Sequence, residues 1–106
     1  MDILEKKQHY IVLFDCYENL LTDKQRQYFK DYYFEDMSLS EISQEYGVSR
    51  NAVFDQLNKI YNSLEQYEEK LGLFEKYEKR QNLYNELQNL NNKDVNDILE
   101  KLKNIE

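Results

Sequence analysis

The stretch SLSEISQEYGVSRNAVFDQLNKI, residues 38–60, predicts a helix, a tight turn and a second helix. Ser38 and Glu41 have the three-residue spacing of a capping box, so a short helix is expected to begin directly after Ser38. Gly47 follows where the chain must turn, a position that favours a residue tolerant of positive φ. Ser49 can then cap the next helix. The stretch is therefore interpreted as a helix-turn-helix.

The second helix of this motif has a polar face that can contact nucleic acid or a partner protein. Arginine and asparagine pair with guanine and adenine edges, and a serine at a helix N-terminus can hold a phosphate. Such a unit can equally be a packing element or a protein-docking surface, so both interpretations stay open. The candidate contact residues are Ser49, Arg50, Asn51, Phe54, Asp55, Asn58 and Lys59.

The charge of the chain argues against strong, nonspecific binding to DNA. Its net charge is −7, and the acidic excess is spread over residues 1–37 (−3), 38–72 (−3) and 73–106 (−1). Proteins that bind DNA through its phosphates usually carry a basic stripe. The block that contains the helix-turn-helix is no more basic than the rest of the chain.

Apolar periodicity predicts helices before the motif as well. An amphipathic helix is expected over about residues 5–21, and a capping box of Thr22 and Gln25 opens another that reaches about Asp36. Glycine is rare (2 residues) and proline absent, whereas sandwiches and barrels need both at many turns. These features together predict an all-α fold.

The second helix of the motif is expected to continue to Gly72, as a stalk of about 20 residues. Apolar residues from Leu57 to Leu71 follow steps of three and four, which is a heptad-type seam. The pattern resumes after Gly72 and breaks at about residues 89–92. A last helix over about 94–105 is expected to have one apolar face, made by Val95, Ile98, Leu102 and Ile105.

A chain of 106 residues is enough for one domain with a modest core. We divide it into N-terminal helices (1–37), the helix-turn-helix (38–60) and a helical stalk with C-terminal helices (61–106). Because the apolar seam from Leu57 to Leu87 is long for so small a chain, part of it is expected to pack on a second copy. The predicted assembly is a homodimer.

Nothing in the sequence indicates a catalytic, cofactor or metal site. His9 and Cys16 are the only strong transition-metal ligands, and one of each cannot build a site. We interpret them as a surface histidine and a buried thiol. The carboxylates Glu65, Glu68 and Glu69 have no histidine, glycine loop or base beside them and are interpreted as a solvated helix face. We predict that the protein is not an enzyme.

The expected compartment is the cytoplasm. A lone cysteine cannot form an intramolecular disulfide, and a reducing compartment is the default for such a chain. The N-terminal MDILEKKQHY lacks the apolar region of a signal peptide, and no apolar run approaches the ~18 residues of a membrane span. No membrane insertion is expected.

Three stretches carry a family likeness: LFDCYENLLTDKQRQYF (13–29), YYFEDMSLSEISQEYGVSRNAVFDQL (32–57) and LEQYEEKLGLFEKYEKR (64–80). Together they resemble the YlxM family, small bacterial proteins whose helix-turn-helix is similar to region 4 of sigma factors. The likeness is collinear and covers nearly the whole chain, and the last helix, from about Asn91, is its least distinctive part. It includes the flanking helices as well as the generic motif.

This resemblance implies an all-helical fold, dimerisation and a regulatory role beside the signal recognition particle, through the particle's GTPase or its RNA. The recognition-helix pattern of the family falls on residues 49–55. The alternative function is a DNA-binding transcriptional regulator that uses the helix from Ser49 to Lys59.

Overall fold

The computed structural model describes residues 2–106, and within that range it contains six α-helices and no strand. The predicted all-α fold is thus confirmed. A 3₁₀ turn, Glu18–Leu20, follows the first helix. The six helices are α1 (Ile3–Tyr17), α2 (Asp23–Tyr33), α3 (Leu39–Tyr46), α4 (Arg50–Leu71), α5 (Leu73–Gln88) and α6 (Lys93–Ile105).

The chain divides into two compact units, of which the first ends at Gly72 and the second is Leu73–Glu106. The first unit contains α1 to α4 and therefore the whole helix-turn-helix. The second is a pair of helices. The expectation of a single domain stays a prediction, because two compact units can still unfold as one cooperative system.

Both predicted capping boxes form. The Thr22 hydroxyl accepts a hydrogen bond from the Gln25 amide at 3.1 Å, and the Gln25 side chain accepts one from the Thr22 amide at 3.0 Å. Ser38 and Glu41 make the same reciprocal pair at 3.1 and 3.2 Å. These bonds satisfy amide groups that a helix start leaves without intrahelical partners, which is why α2 and α3 begin where they do.

The first helix is shorter than its apolar pattern predicts. It ends at Tyr17 rather than near residue 21, and the chain continues as a 3₁₀ turn. The Arg26 guanidinium donates to the carbonyl oxygens of Glu18 and Leu21, at 3.1 and 2.8 Å. A side chain from α2 thereby satisfies carbonyl groups that a continued helix would have used, and the early end of α1 is stable.

The turn of the helix-turn-helix has the predicted geometry. Gly47 ends α3 in the left-handed region with φ 66°, and its amide donates to the carbonyl of Ser43. The next amide, of Val48, donates to the same carbonyl at 3.0 Å. Ser49 then caps α4, and its hydroxyl accepts from the Ala52 amide at 3.0 Å.

The 22-residue helix α4 supplies the centre of the first unit. It packs against α1, α2 and α3. Its length agrees with the predicted stalk, but the heptad-type seam lies largely inside the fold, since Leu57, Ile60 and Leu64 are at most 3% exposed. Those three side chains pack within their own unit, and only the end of the seam, at Leu71, is substantially exposed.

Aromatic rings and one buried carboxylate hold the shorter helices in place. Phe14 of α1 stacks on Phe29 of α2 with ring centroids 4.1 Å apart. The buried Asp31 of α2 accepts hydrogen bonds from Gln27 at 2.9 Å and from the Tyr46 hydroxyl at 2.8 Å. Burial, followed by the bond to Asp31, raises the pKa of Tyr46 to about 12. The phenol therefore stays a donor and links α2 to the end of α3.

The second unit is a helical hairpin whose two helices meet along Tyr84 and Leu99, both buried. The predicted break between them is confirmed, because residues 89–92 form the turn and Asn92 caps α6. The four residues of the predicted apolar face of α6 lie within about 80° of one another around the helix, but the residue buried in the hairpin lies beside this face. Leu99, which the pattern omitted, is buried, whereas Ile98 and Ile105 are 60% and 81% exposed.

Replacing Gly47 tests the turn. An L-residue there must adopt φ near 66°, so Gly47→Ala is expected to lower the free energy of unfolding by about 1–2 kcal/mol. An added Cβ would meet no atom within 4 Å, which leaves backbone strain as the cause. Gly47→Asn is expected to lose less, because asparagine tolerates the left-handed region better. Urea unfolding followed by circular dichroism measures both, and an alanine variant as stable as the wild type would contradict the assignment.

Candidate nucleic-acid or protein interface

The exposed side of α4 contains the residues that the sequence singles out. Each residue advances about 100° around an α-helix. Val53, Leu57 and Ile60 define the buried side, and the candidate residues occupy the rest of the surface. Ser49 and the six candidate residues of α4 are all exposed, and they are Ser49, Arg50, Asn51, Phe54, Asp55, Asn58 and Lys59.

Two different surfaces share this exposed side. Asn51, Asp55 and Lys59 repeat at intervals of four and form an outer row that points away from the core. Phe54 and Asn58 lie further toward α1 and line a groove. The predicted contact residues are thus brought together on one helix, but they divide into a polar row and a groove wall.

The fold makes little use of these side chains. Ser49 is the exception, because its hydroxyl already accepts the capping bond from Ala52. Across residues 2–106, no side-chain hydrogen bond or ion pair holds Arg50, Asn51 or Lys59. Their donors are available to a ligand, and Phe54 leaves 52% of its surface exposed.

A groove of about 580 Å³ lies beside Phe54. Leu57 and Tyr61 of α4 form one part of its lining, and Tyr33 at the end of α2 another. The hydroxyl groups of Tyr33 and Tyr61 share a hydrogen bond, with their oxygens 2.8 Å apart. The pKa of both phenols is raised, mainly because the two side chains are buried. Both therefore stay neutral, and this part of the groove is aromatic and uncharged.

The first helix completes the groove with residues that the sequence reasoning missed. Ile3, Lys6 and Lys7 of α1 line it, and Ile3 is 90% exposed. A signal existed in the sequence. Tyr10 is on the packed side of α1, and Ile3 lies seven residues before it, on the same stripe of the helix. Only the packing of α1 across α4 shows that this stripe extends beyond the core.

Two side-chain hydrogen bonds join α1 to the carboxylates of α4. His9 is half-buried, and its Nε2 lies 2.6 Å from Oε1 of Glu65. The Tyr17 hydroxyl donates to Glu68 at 2.6 Å. Both glutamates therefore connect two helices. Glu65 is still exposed, as expected for a solvated helix face, whereas Glu68 is half-buried.

The chemistry of the remaining polar groups is limited. Cys16 is half-buried, and burial, aided by the charges of Glu68 and Asp15, raises the pKa of its thiol. Within residues 2–106, no three histidine, cysteine or carboxylate side chains are grouped closely enough to hold a metal ion. In the same range, no helix is long and apolar enough to cross a membrane.

Comparisons with known proteins agree with this architecture. A family model described as "Putative helix-turn-helix protein, YlxM / p13 like" (UPF0122) matches residues 4–105. A UPF0122 protein of Listeria welshimeri is 44% identical over 110 residues, covering 98% of this chain and all of the relative. A Geobacillus relative is 42% identical with the same coverage. An Exiguobacterium relative is 47% identical over 97% of this chain and 98% of its own length. The chain belongs to the UPF0122 family of YlxM / p13-like helix-turn-helix proteins.

Proposed function

We propose that this chain is a regulatory, accessory protein of the signal recognition particle pathway, which docks on the particle's GTPase through the exposed side of α4. The pathway comes from the resemblance of the sequence to the YlxM family. The observation that carries the docking surface is Phe54, a large aromatic side chain that is 52% exposed beside a groove with aromatic and aliphatic walls and two lysines, Lys6 and Lys7. Exposed aromatic residues next to a pocket are the usual anchors of protein interfaces.

Electrostatics support a protein as the partner. The chain has a net charge of −7, and the outer row of α4 combines one aspartate with one lysine. A phosphate backbone would be repelled by the excess of carboxylates, whereas a basic protein surface would be attracted. The particle's RNA is the less favoured partner for the same reason. The proposal includes a cytoplasmic location.

The alternative is a DNA-binding transcriptional regulator. Arg50 and Asn51 favour it, because both are exposed in the first turn of α4 and no partner within the described residues holds them. A recognition helix contacts base edges with residues of its N-terminal part. Asp55, one turn further, would have to face a cytosine amine to be tolerated in the major groove.

Two α4 variants separate these functions. If the GTPase is the partner, Phe54→Ala should weaken binding to the GTPase about tenfold or more, because truncating an interface anchor costs about 1–2 kcal/mol or more. Arg50→Ala should weaken this binding less. If DNA is the ligand, Arg50→Ala should cost about 1–3 kcal/mol for a specific site, and binding should fall steeply with salt. Gln66→Ala, exposed on the same helix, is the matched control.

Titration calorimetry at physiological salt against the purified GTPase, the particle's RNA and genomic DNA fragments supplies the measurement. Binding to the GTPase that depends on Phe54 supports the proposal. Absence of binding to both the GTPase and the RNA would overturn it, and salt-dependent binding to DNA alone would establish the alternative.

The proposed role is non-enzymatic, and Cys16 provides a test because it is the strongest nucleophile the chain offers. Its raised pKa keeps the thiol protonated at neutral pH, so little thiolate is present to react. Alkylation by iodoacetamide is expected to be several-fold slower in the folded chain than in the urea-unfolded chain. The pH midpoint of the folded rate should lie above that of the unfolded one, and a midpoint below it would indicate an activated thiol.

A further inference from the structure

The groove beside Phe54 carries positive charge, although the unit around it is acidic. Lys6 and Lys7 of α1 line the groove, and its one lining carboxylate among the described residues is Asp36, in the segment between α2 and α3. Residues 1–72 as a whole have a net charge of −6. The charge of the groove lining therefore differs in sign from that of the unit around it.

Helix geometry directs the two lysines toward the groove. Ile3, Lys6 and Lys7 are spaced at i, i+3 and i+4, so they lie on one side of α1. Glu5 lies on the other side of the helix, about 200° around from Ile3. The Asp2 carboxylate precedes α1 and accepts the capping bond from the Glu5 amide at 2.8 Å. The acidic residues of this turn are thus directed elsewhere or engaged in capping.

Both lysine ammonium groups are available to a ligand. Within residues 2–106, no ion pair involves Lys6 or Lys7, and both side chains are exposed. A carboxylate can therefore pair with them without breaking a bond of the fold. Because an exposed ion pair contributes only about 0–1 kcal/mol, these charges select and orient a ligand more than they supply its affinity.

The apolar part of the lining is suited to supply that affinity. Ile3 and Phe54 are 90% and 52% exposed, and Met37 and Leu39 are half-buried in the same lining. The groove volume of about 580 Å³ lies within the range of about 300–1,000 Å³ that is typical of ligand pockets. An apolar groove is the surface on which an amphipathic protein segment packs its apolar side. A phosphate backbone offers no apolar side chain to fill it.

We propose that this groove binds an amphipathic segment of the partner, whose apolar side chains pack beside Phe54 and whose carboxylates pair with Lys6 and Lys7. The inference rests on the proposed function in so far as the partner is a protein, and it goes further by stating the chemistry of the bound segment. A partner that matches the whole unit presents basic surface around one acidic, apolar segment. Such a mixed pattern gives more specificity than net charge alone.

Two synthetic peptides test the proposal on the full chain. Each is about 15 residues long and has leucine at i, i+3, i+4 and i+7, the anchor spacing of a helix that lies in a groove. The flanking positions are glutamate in one peptide and lysine in the other. Fluorescence anisotropy is expected to show binding of the glutamate peptide at least about tenfold tighter than that of the lysine peptide. The chain's net charge of −7 alone would favour the lysine peptide, so the expected preference reports the local charge of the groove.

Charge variants locate this preference. Lys6→Glu combined with Lys7→Glu should weaken binding of the glutamate peptide at least about tenfold, and α1 should persist because acidic residues are favourable near a helix start. Lys24→Glu combined with Lys70→Glu makes the same change of charge at exposed positions outside the groove lining and should leave the preference intact. Circular dichroism checks that both double variants remain helical.

Removing the carboxylate of the groove should have the opposite effect. Asp36→Asn is expected to tighten binding of the glutamate peptide about twofold to threefold, because a like charge near the ligand is lost. Asp36 has φ 54°, a conformation that asparagine also tolerates, so the turn after α2 should be kept.

Three results would overturn the proposal. The lysine peptide could bind as tightly as the glutamate peptide, neither peptide could bind at concentrations up to about 1 mM, or the double variant of Lys6 and Lys7 could keep the full preference for glutamate. The peptides contain no part of the GTPase, so these results do not depend on whether the GTPase binds. Conversely, GTPase binding that depends on Phe54 would keep the proposed function in place if the peptide preference failed.

Discussion

The structure of the first unit depends on the burial of one side of α4. Val53, Leu57, Ile60 and Leu64 are at most 3% exposed, and α1, α2 and α3 all pack on the helix that carries them. Each buried aliphatic side chain contributes about 1.5–3 kcal/mol of transfer free energy, an upper estimate for an extended unfolded chain. The three shorter helices all pack on this one apolar surface of α4. Their positions relative to one another are therefore set by where each contacts α4.

The same constraint shapes the candidate interface on α4. A helix that is packed along its inner side from Val53 to Leu64 presents the outer side of that part as a rigid surface, which favours recognition because little conformational freedom is lost on binding. That surface carries Arg50, Lys59 and the exposed Phe54 in an acidic chain. The geometry is that of a helix-turn-helix, and the net charge and the exposed Phe54 are the reasons for proposing a protein partner rather than a phosphate backbone.

Much of the fold could be predicted from local sequence, and less of the candidate site. The capping boxes at Thr22 and Ser38 and the turn at Gly47 are where their residue types predict them, because each depends on bonds within a few residues. The predicted contact residues of α4 are exposed, but their division into a polar row and a groove wall was not foreseen. The pairing of His9 with Glu65 was missed too, since 56 residues separate them.

The sequence by itself determined where helices begin, where the chain turns and which side of α4 is apolar, because capping, backbone conformation and periodicity are local properties. Only the tertiary structure decided that Ile3 of α1 and Phe54 of α4 line the same groove and that the seam residue Leu57 is core. It also decided that Leu99 rather than Ile98 joins the hairpin. Those outcomes depend on which helices meet and at what rotation, and that is set by packing between residues distant in the chain.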